Sequence, residues 1–199
     1  MTSSLYQQQT QHALSGLAPQ LVEITEAEYG VKLNLVYASV NNLTNQIIYQ
    51  NAICAIHQDV APLVRQAAQH ARRAGYTLLV FDAYRPQAAQ IKLWDAVQDP
   101  MYVVPPEIGS NHTRGTAIDV SLIDNLSGQV LDMGSDFDAM TTNSHHDVDG
   151  LSLEVQRNRL NLLAIMRHAG FMSIESEWWH YELPEANTYP LIDCGFIRV

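Results

Sequence analysis

The sequence predicts a single α+β domain with a mostly antiparallel central sheet flanked by helices, and three observations predict it. Residues 76–81 form a continuous apolar run, too short to stand as a helix and fitted to a buried strand. Two longer stretches, 59–74 and 152–169, repeat their apolar residues at helical spacing, and each is closed by a glycine, Gly75 or Gly170. No internal repeat, low-complexity tract or linker divides the chain, and 199 residues suffice for one core without disulfides or a structural metal.

Taken in order, residues 1–20 are rich in Gln, Ser and Thr and read as a loose or weakly helical arm; the domain proper is expected over 21–199. Residues 21–24 read as a short strand. After Gly30, Val31, Leu33, Leu35 and Tyr37 alternate onto one face of a second strand, which breaks into a polar loop over 37–42. In the first helical stretch the apolar stripe is Val60, Leu63, Val64, Ala67, Ala68 and Ala71. The strand at 76–81 then delivers Asp82-Ala83-Tyr84-Arg85-Pro86 at its end, and Pro86 suits the first turn of a helix reaching about Val97. Asp99-Pro100 and Pro105-Pro106 bracket a loop that leads into a strand beginning near Ala117. Residues 125–150 form a long irregular connection, a length that inside a compact domain points to a functional wall or lid. Ser152 caps the last helix, and 171–174 and 178–183 return as strands.

Composition narrows the function. A net charge of -10 argues against nucleic acid and anionic membrane as partners, because both select for clustered Lys and Arg. The two cysteines, Cys54 and Cys194, lie far apart with no CxxC, which suits reduced, structural thiols. The first twenty residues lack a basic segment followed by an apolar one, and no apolar run approaches membrane-spanning length, so a cytoplasmic location is expected. Whether the chain works alone or as a homo-oligomer is left open by the sequence.

Chemistry concentrates in two stretches. Ser110-Asn111-His112-Thr113-Arg114-Gly115-Thr116-Ala117-Ile118-Asp119 offers an imidazole and a carboxylate with a glycine between them that lets the backbone turn. Glu175-Ser176-Glu177-Trp178-Trp179-His180-Tyr181 adds a second imidazole with a glutamate three positions earlier. Two imidazoles and one carboxylate leave the fourth position of a tetrahedral Zn²⁺ open, and a second carboxylate stands by as base. A regular strand would send Glu177 and His180 to opposite faces, so a strand end or bulge is required to bring them together. A rival cluster exists in His145-His146 with Asp147 and Asp149, although adjacent histidines point apart in most backbones. His12, His57, His70 and His168 sit among polar neighbours and are expected to be solvated.

In combination these residues resemble the zinc D-alanyl-D-alanine dipeptidases, the family that includes the dipeptidase of vancomycin-resistance gene clusters. The resemblance runs from Tyr37 onward through Asp82-Ala83-Tyr84-Arg85-Pro86, the Ser-x-His-x-x-Gly-x-Ala-x-Asp pattern of 110–119, Met133-Gly134-Ser135-Asp136-Phe137-Asp138, Ser144-His145-His146, and Glu177-Trp178-Trp179-His180-Tyr181. Leu43 and Asn45 depart from it, standing where an aromatic residue and a glycine are commoner. The resemblance implies a Hedgehog/DD-peptidase-like fold and one Zn²⁺ per chain held by His112, Asp119 and His180. It further implies that Glu177 is the base assisting attack of zinc-bound water, and that Arg85 stabilises the transition state. Tyr37 and Asp138 would receive the substrate ammonium, with Ser110 near the substrate. The bland alternative for Arg85 is a surface pair with Asp82. Two other functions compete with hydrolysis of the dipeptide D-Ala-D-Ala: a D,D-carboxypeptidase or endopeptidase acting on peptidoglycan stems, and a non-catalytic zinc-binding domain of the same fold. The presence of Glu177 and Arg85 speaks against the last, since a structural zinc site needs neither.

Overall fold

The computed structural model describes residues 18, 20–195 and 197–199, so the predicted arm lies outside it except for residues 18 and 20. Among the described residues the regular elements are β1 (Leu21–Glu23), α1 (Glu26–Tyr29), β2 (Lys32–Leu33), β3 (Ala55–His57), α2 (Ala61–Arg73), β4 (Tyr76–Asp82), α3 (Gln87–Ala96), β5 (Ala117–Asp124), α4 (Leu153–His168), β6 (Met172–Ser173) and β7 (His180–Glu182). The result is one α+β domain with two sheets and four α-helices. β1 pairs with β3. The other five strands form a sheet of order β2-β4-β5-β7-β6, in which β2 runs parallel to β4 and the remaining neighbours are antiparallel.

The long elements form for the reasons visible in their sequences. α2 buries Ala61, Val64, Ala67, Ala68 and Ala71, one stripe at i, i+3, i+4 spacing, against β4 and α4. β4 buries Leu78, Leu79, Val80 and Phe81 in succession, as a strand covered on both faces must. Full burial of a Val or Leu side chain contributes about 1.5–3 kcal/mol, so this layer is a principal source of stability. α4 starts where the Ser152 hydroxyl accepts the Val155 amide at 3.2 Å, and it carries Glu154 in its first turn and Arg167 and His168 in its last, matched to the helix dipole. Its end is marked by Gly170 at φ 102.

Among the short elements, β1, β6 and β7 fall within the strands expected at 21–24, 171–174 and 178–183, and the others differ from expectation. The strand predicted after Gly30 is only Lys32–Leu33; the chain then turns through a 3-10 segment, Val36–Ala38, because the Tyr37 carbonyl accepts the amides of both Ile48 and Tyr49 at 2.9 Å. That turn aims Tyr37 inward, where it is buried. β3 and the four-residue α1 have no counterpart among the expected elements. α1 is held by a local cap, Thr25 Oγ1 accepting from Glu28 N, and is too short to show a period. His57, expected in solvent, is instead buried in β3, its ring against Tyr189 at 5.0 Å between centroids.

Candidate active site

Three neighbouring strands put the central residues in one row. In the β4–β5 register Asp82 faces Asp119, and in the β5–β7 register Asp119 faces His180. A register shift between Val80 and Asp82 re-aims the end of β4 toward this row. His112 enters from the turn before β5. The turn is fixed by Gly115 N donating to His112 O at 2.9 Å, by His112 N donating to Ser110 Oγ at 3.2 Å, and by Arg85 N donating to His112 O at 3.1 Å. Glu177 sits in the turn just ahead of β7, with His180 N donating to Glu177 O at 3.3 Å, so the required convergence comes from a strand end. Its carboxylate lies 3.9 Å from His180 Nδ1.

His112, Asp119 and His180 are all buried, and one donor atom of each lies within 4.8 Å of the other two. Their outer hydrogen bonds decide which nitrogens face inward. His112 Nδ1 lies 2.7 Å from the Ala83 carbonyl, which can only accept, so the proton belongs on Nδ1 and Nε2 presents its lone pair. His180 Nε2 lies 3.0 Å from Glu182 Oε2, itself fixed by Asn111 Nδ2 at 2.8 Å, which leaves Nδ1 facing inward. The two lone-pair nitrogens approach to 3.2 Å beside the Asp119 carboxylate, 3.1 Å from one and 3.4 Å from the other. Two lone pairs and an anion converging in a buried space fit a cation, and the outer partners are the kind that orient metal-binding imidazoles. Without a cation the cluster must hold a proton. Burial pulls the His180 pKa down, but its bonds to Asp119 and Glu182 outweigh this and lift it to about 10. Burial also opposes ionisation of Asp119, and the two imidazoles nevertheless hold its carboxyl well below the usual carboxylate range.

Around this cluster stand the other predicted residues. Arg85 is buried and anchored by Asp82, with Nε at 2.9 Å and Nη2 at 2.8 Å from Oδ2, while Nη1 donates to Gln90 Oε1 at 3.0 Å. The Asp82 pair considered as a surface contact therefore forms, but in the interior. It leaves Nη2 3.7 Å from Asp119 and the guanidinium carbon 5.1 Å over the Tyr37 ring. Tyr37 donates its hydroxyl to Asp138 Oδ2 at 2.6 Å. Asp138 takes a left-handed backbone, φ 58, within the 125–150 connection. Burial lifts the carboxyls of Asp138 to about 7 and of Glu177 to about 8, each far above its ordinary value.

Tyr37, Arg85, Ser110, His112, Asp119, Asp138, Glu177 and His180 all line one cleft of about 270 Å³. The 125–150 connection forms one wall through Asp138 and Met140, and the 99–106 loop forms another through Met101, Tyr102 and Val104. Leu43 also lines the cleft, and Asn45 adopts φ 54, a left-handed conformation that asparagine tolerates better than most side chains. The rival histidines do not join the cluster: His145 Nε2 is 3.4 Å from the Tyr102 hydroxyl, and His146 is oriented by its amide bond to Glu175 O. The sequence reading missed Glu182, Asn111, Gln90 and Tyr49, whose hydroxyl donates to Asp82 Oδ1 at 2.8 Å. Only Glu182 carried a signal, since two residues apart on a strand share a face with His180.

Comparison with known proteins agrees with the geometry. The D-ala-D-ala dipeptidase family model matches residues 18–196. A D-alanyl-D-alanine dipeptidase of Escherichia coli (strain K12) is 46% identical over 177 residues, covering 89% of this chain and 91% of that protein. Proteins of the same name from Enterococcus faecalis and Enterococcus faecium are 31% and 33% identical, each alignment covering 83% of this chain and 94% of the relative.

Proposed function

Because the chain belongs to the D-Ala-D-Ala dipeptidase family, we propose that it is a zinc peptidase hydrolysing D-alanyl-D-alanine to free D-alanine, with one Zn²⁺ per chain. The observation that carries the metal is the convergence of His112 Nε2, His180 Nδ1 and the Asp119 carboxylate with their tautomers fixed from outside. These residues would hold Zn²⁺, which when bound acidifies water and polarises a carbonyl.

The chain's own groups supply the rest. Glu177, desolvated and adjacent to the cluster, takes a proton from the attacking water and returns it to the leaving amine, a task suited to a carboxyl whose pKa lies near neutrality. Arg85 faces the oxygen that becomes an oxyanion, and its bonds to Asp82 and Gln90 fix the guanidinium so that no reorganisation is needed as charge develops. Asp138, oriented by the Tyr37 hydroxyl, receives the ammonium of the substrate, and Ser110 lies beside the bound dipeptide. A cleft of about 270 Å³, just below the roughly 300–1,000 Å³ range of small-molecule sites, suits a substrate as small as a dipeptide. The dipeptidase domain is assigned to residues 21–199 and read as Hedgehog/DD-peptidase-like, a reading supported by the antiparallel run β4-β5-β7-β6. Two unpaired, buried cysteines suit a reducing, cytoplasmic setting.

Incubating zinc-loaded protein with D-Ala-D-Ala, L-Ala-L-Ala and a stem pentapeptide tests the reading. Release of D-alanine from the first alone is expected; preferential cleavage of the pentapeptide would replace it with the carboxypeptidase reading.

A further inference from the structure

The wall that carries Asp138 is held by a side chain from α4. Arg159, in the middle of α4, is 3% exposed. Its Nε donates to Met133 O at 2.6 Å, its Nη1 donates to His145 O at 2.6 Å, and its Nη2 donates to Asn143 O. The preceding residue on the helix, Asn158, adds Nδ2 to Asp132 O at 2.9 Å. One planar guanidinium thus ties together both flanks of a segment, five residues before Asp138 and five to seven after it. Within that segment Ser144 Oγ bonds back to Ala139 O, and Ser144 O accepts the Trp178 amide at 3.0 Å, next to Glu177. Asp138 itself is half-buried at φ 58, a conformation that a free loop has no reason to favour.

A buried arginine whose bonds run to main-chain carbonyls spends a costly desolvated charge on shaping backbone. From this arrangement we infer that Arg159 is a positioning residue for substrate selection: by clamping the 133–145 segment at both ends, it fixes the Asp138 carboxylate where the dipeptide ammonium must lie. The inference rests on the reading that Asp138 receives that ammonium. Lysine cannot replace the clamp, because a single ammonium has no fork that reaches three carbonyls in one plane.

The test is a double-mutant cycle on the zinc-loaded enzyme, with Arg159→Lys, Arg159→Met and Asp138→Ala, alone and combined, assayed on D-Ala-D-Ala. Arg159→Lys keeps the positive charge and serves if the methionine variant does not fold. Each Arg159 variant is expected to raise KM by about tenfold or more, with kcat within about threefold and zinc content unchanged. In the Asp138→Ala background the same replacement should add nothing, because the group being positioned is already gone. Additive effects, or a fall in kcat at constant KM, would overturn the inference and reduce Arg159 to a structural arginine. Normal KM in Asp138→Ala alone is a different failure: it removes the ammonium receptor itself, and with it the role assigned to Arg159. Hydrogen exchange gives a readout independent of substrate. Amides of 133–145 should exchange faster in Arg159→Lys while those of β4 and β5 do not; unchanged exchange in 133–145 would also overturn the clamp.

Discussion

At the residue scale, the division of labour between metal holding and proton transfer can be separated by substitution. Glu177 stands beside the cluster without being one of its three converging donors. Glu177→Gln should therefore keep zinc and fold while losing about 10²–10⁴-fold in kcat, the usual worth of a general base. Metal analysis and turnover on one sample check this, and near-normal turnover would sink the assignment. Arg85→Ala should lose about 10²–10³-fold in kcat as an oxyanion partner. A rise in KM alone would make Arg85 a uniform binder of substrate instead. The same substitution strands buried Asp82 without its cation, so a stability loss of about 3–5 kcal/mol should accompany it in chemical denaturation.

Asp138 gives the pH dependence. Burial raises its pKa from 3.8 to about 7, outweighing the Tyr37 hydrogen bond and the Arg85 charge that favour ionisation; Asp119 and Asp82 add to the rise. A carboxyl raised by folding favours the fold at low pH, and that contribution is lost as pH climbs through the interval from about 4 to about 7. On the proposed role of Asp138, binding works the other way, because a substrate ammonium needs the ionised form. Below pH 7 the dipeptide must expel a proton to bind, so KM should rise as pH falls, and Asp138→Asn should flatten that rise. A KM that is level from pH 5 to 8 in the unsubstituted enzyme, with pH values chosen to bracket the shift to about 7, would contradict the role.

At the scale of elements, the turn that delivers His112 depends on a glycine for two reasons. Gly115 has φ 69, and a Cβ there would stand 2.9 Å from Leu21 Cδ2 and 3.1 Å from the His57 backbone nitrogen. Gly128 has a similar φ of 71 but nothing within 4 Å. Alanine at either position pays about 1–2 kcal/mol for the left-handed backbone. Only Gly115→Ala must also push β3 away, so it should lose more stability in denaturant than Gly128→Ala; equal losses would mean that β3 yields freely. The elements with enough length to show a period or a cap, α2, β4, α3, β5 and α4, are legible in the sequence, and the short strands β1, β6 and β7 fall within the strand-like runs 21–24, 171–174 and 178–183. β2 was overextended because alternation at Val31, Leu33, Leu35 and Tyr37 looks the same whether the chain stays extended or coils into a turn closed by distant amides. α1 and β3 were too short for a pattern.

At the scale of the whole molecule, the site is a product of sheet register, and register is what sequence spacing leaves out. Asp82, Asp119 and His180 lie far apart in sequence, yet two pairings set them side by side across β4, β5 and β7. The motifs that carry a family resemblance named Tyr37, Arg85, Ser110, His112, Asp119, Asp138, Glu177 and His180, which all line the cleft. The supporting groups Glu182, Asn111, Gln90, Tyr49 and Arg159 act through contacts that appear only once the strands and the 125–150 wall are in place. They surround the cleft in which the proposed dipeptide site has its candidate metal ligands, His112, Asp119 and His180, and the proposed ammonium receptor, Asp138. The most direct test compares kcat/KM for D-Ala-D-Ala and N-acetyl-D-Ala-D-Ala on the zinc-loaded enzyme. A site built around a buried polar partner discriminates by about 10⁴-fold or more when that partner is missing, so the acetylated dipeptide should be nearly inert. Comparable values for the two would contradict the ammonium receptor and favour a carboxypeptidase acting on longer peptides.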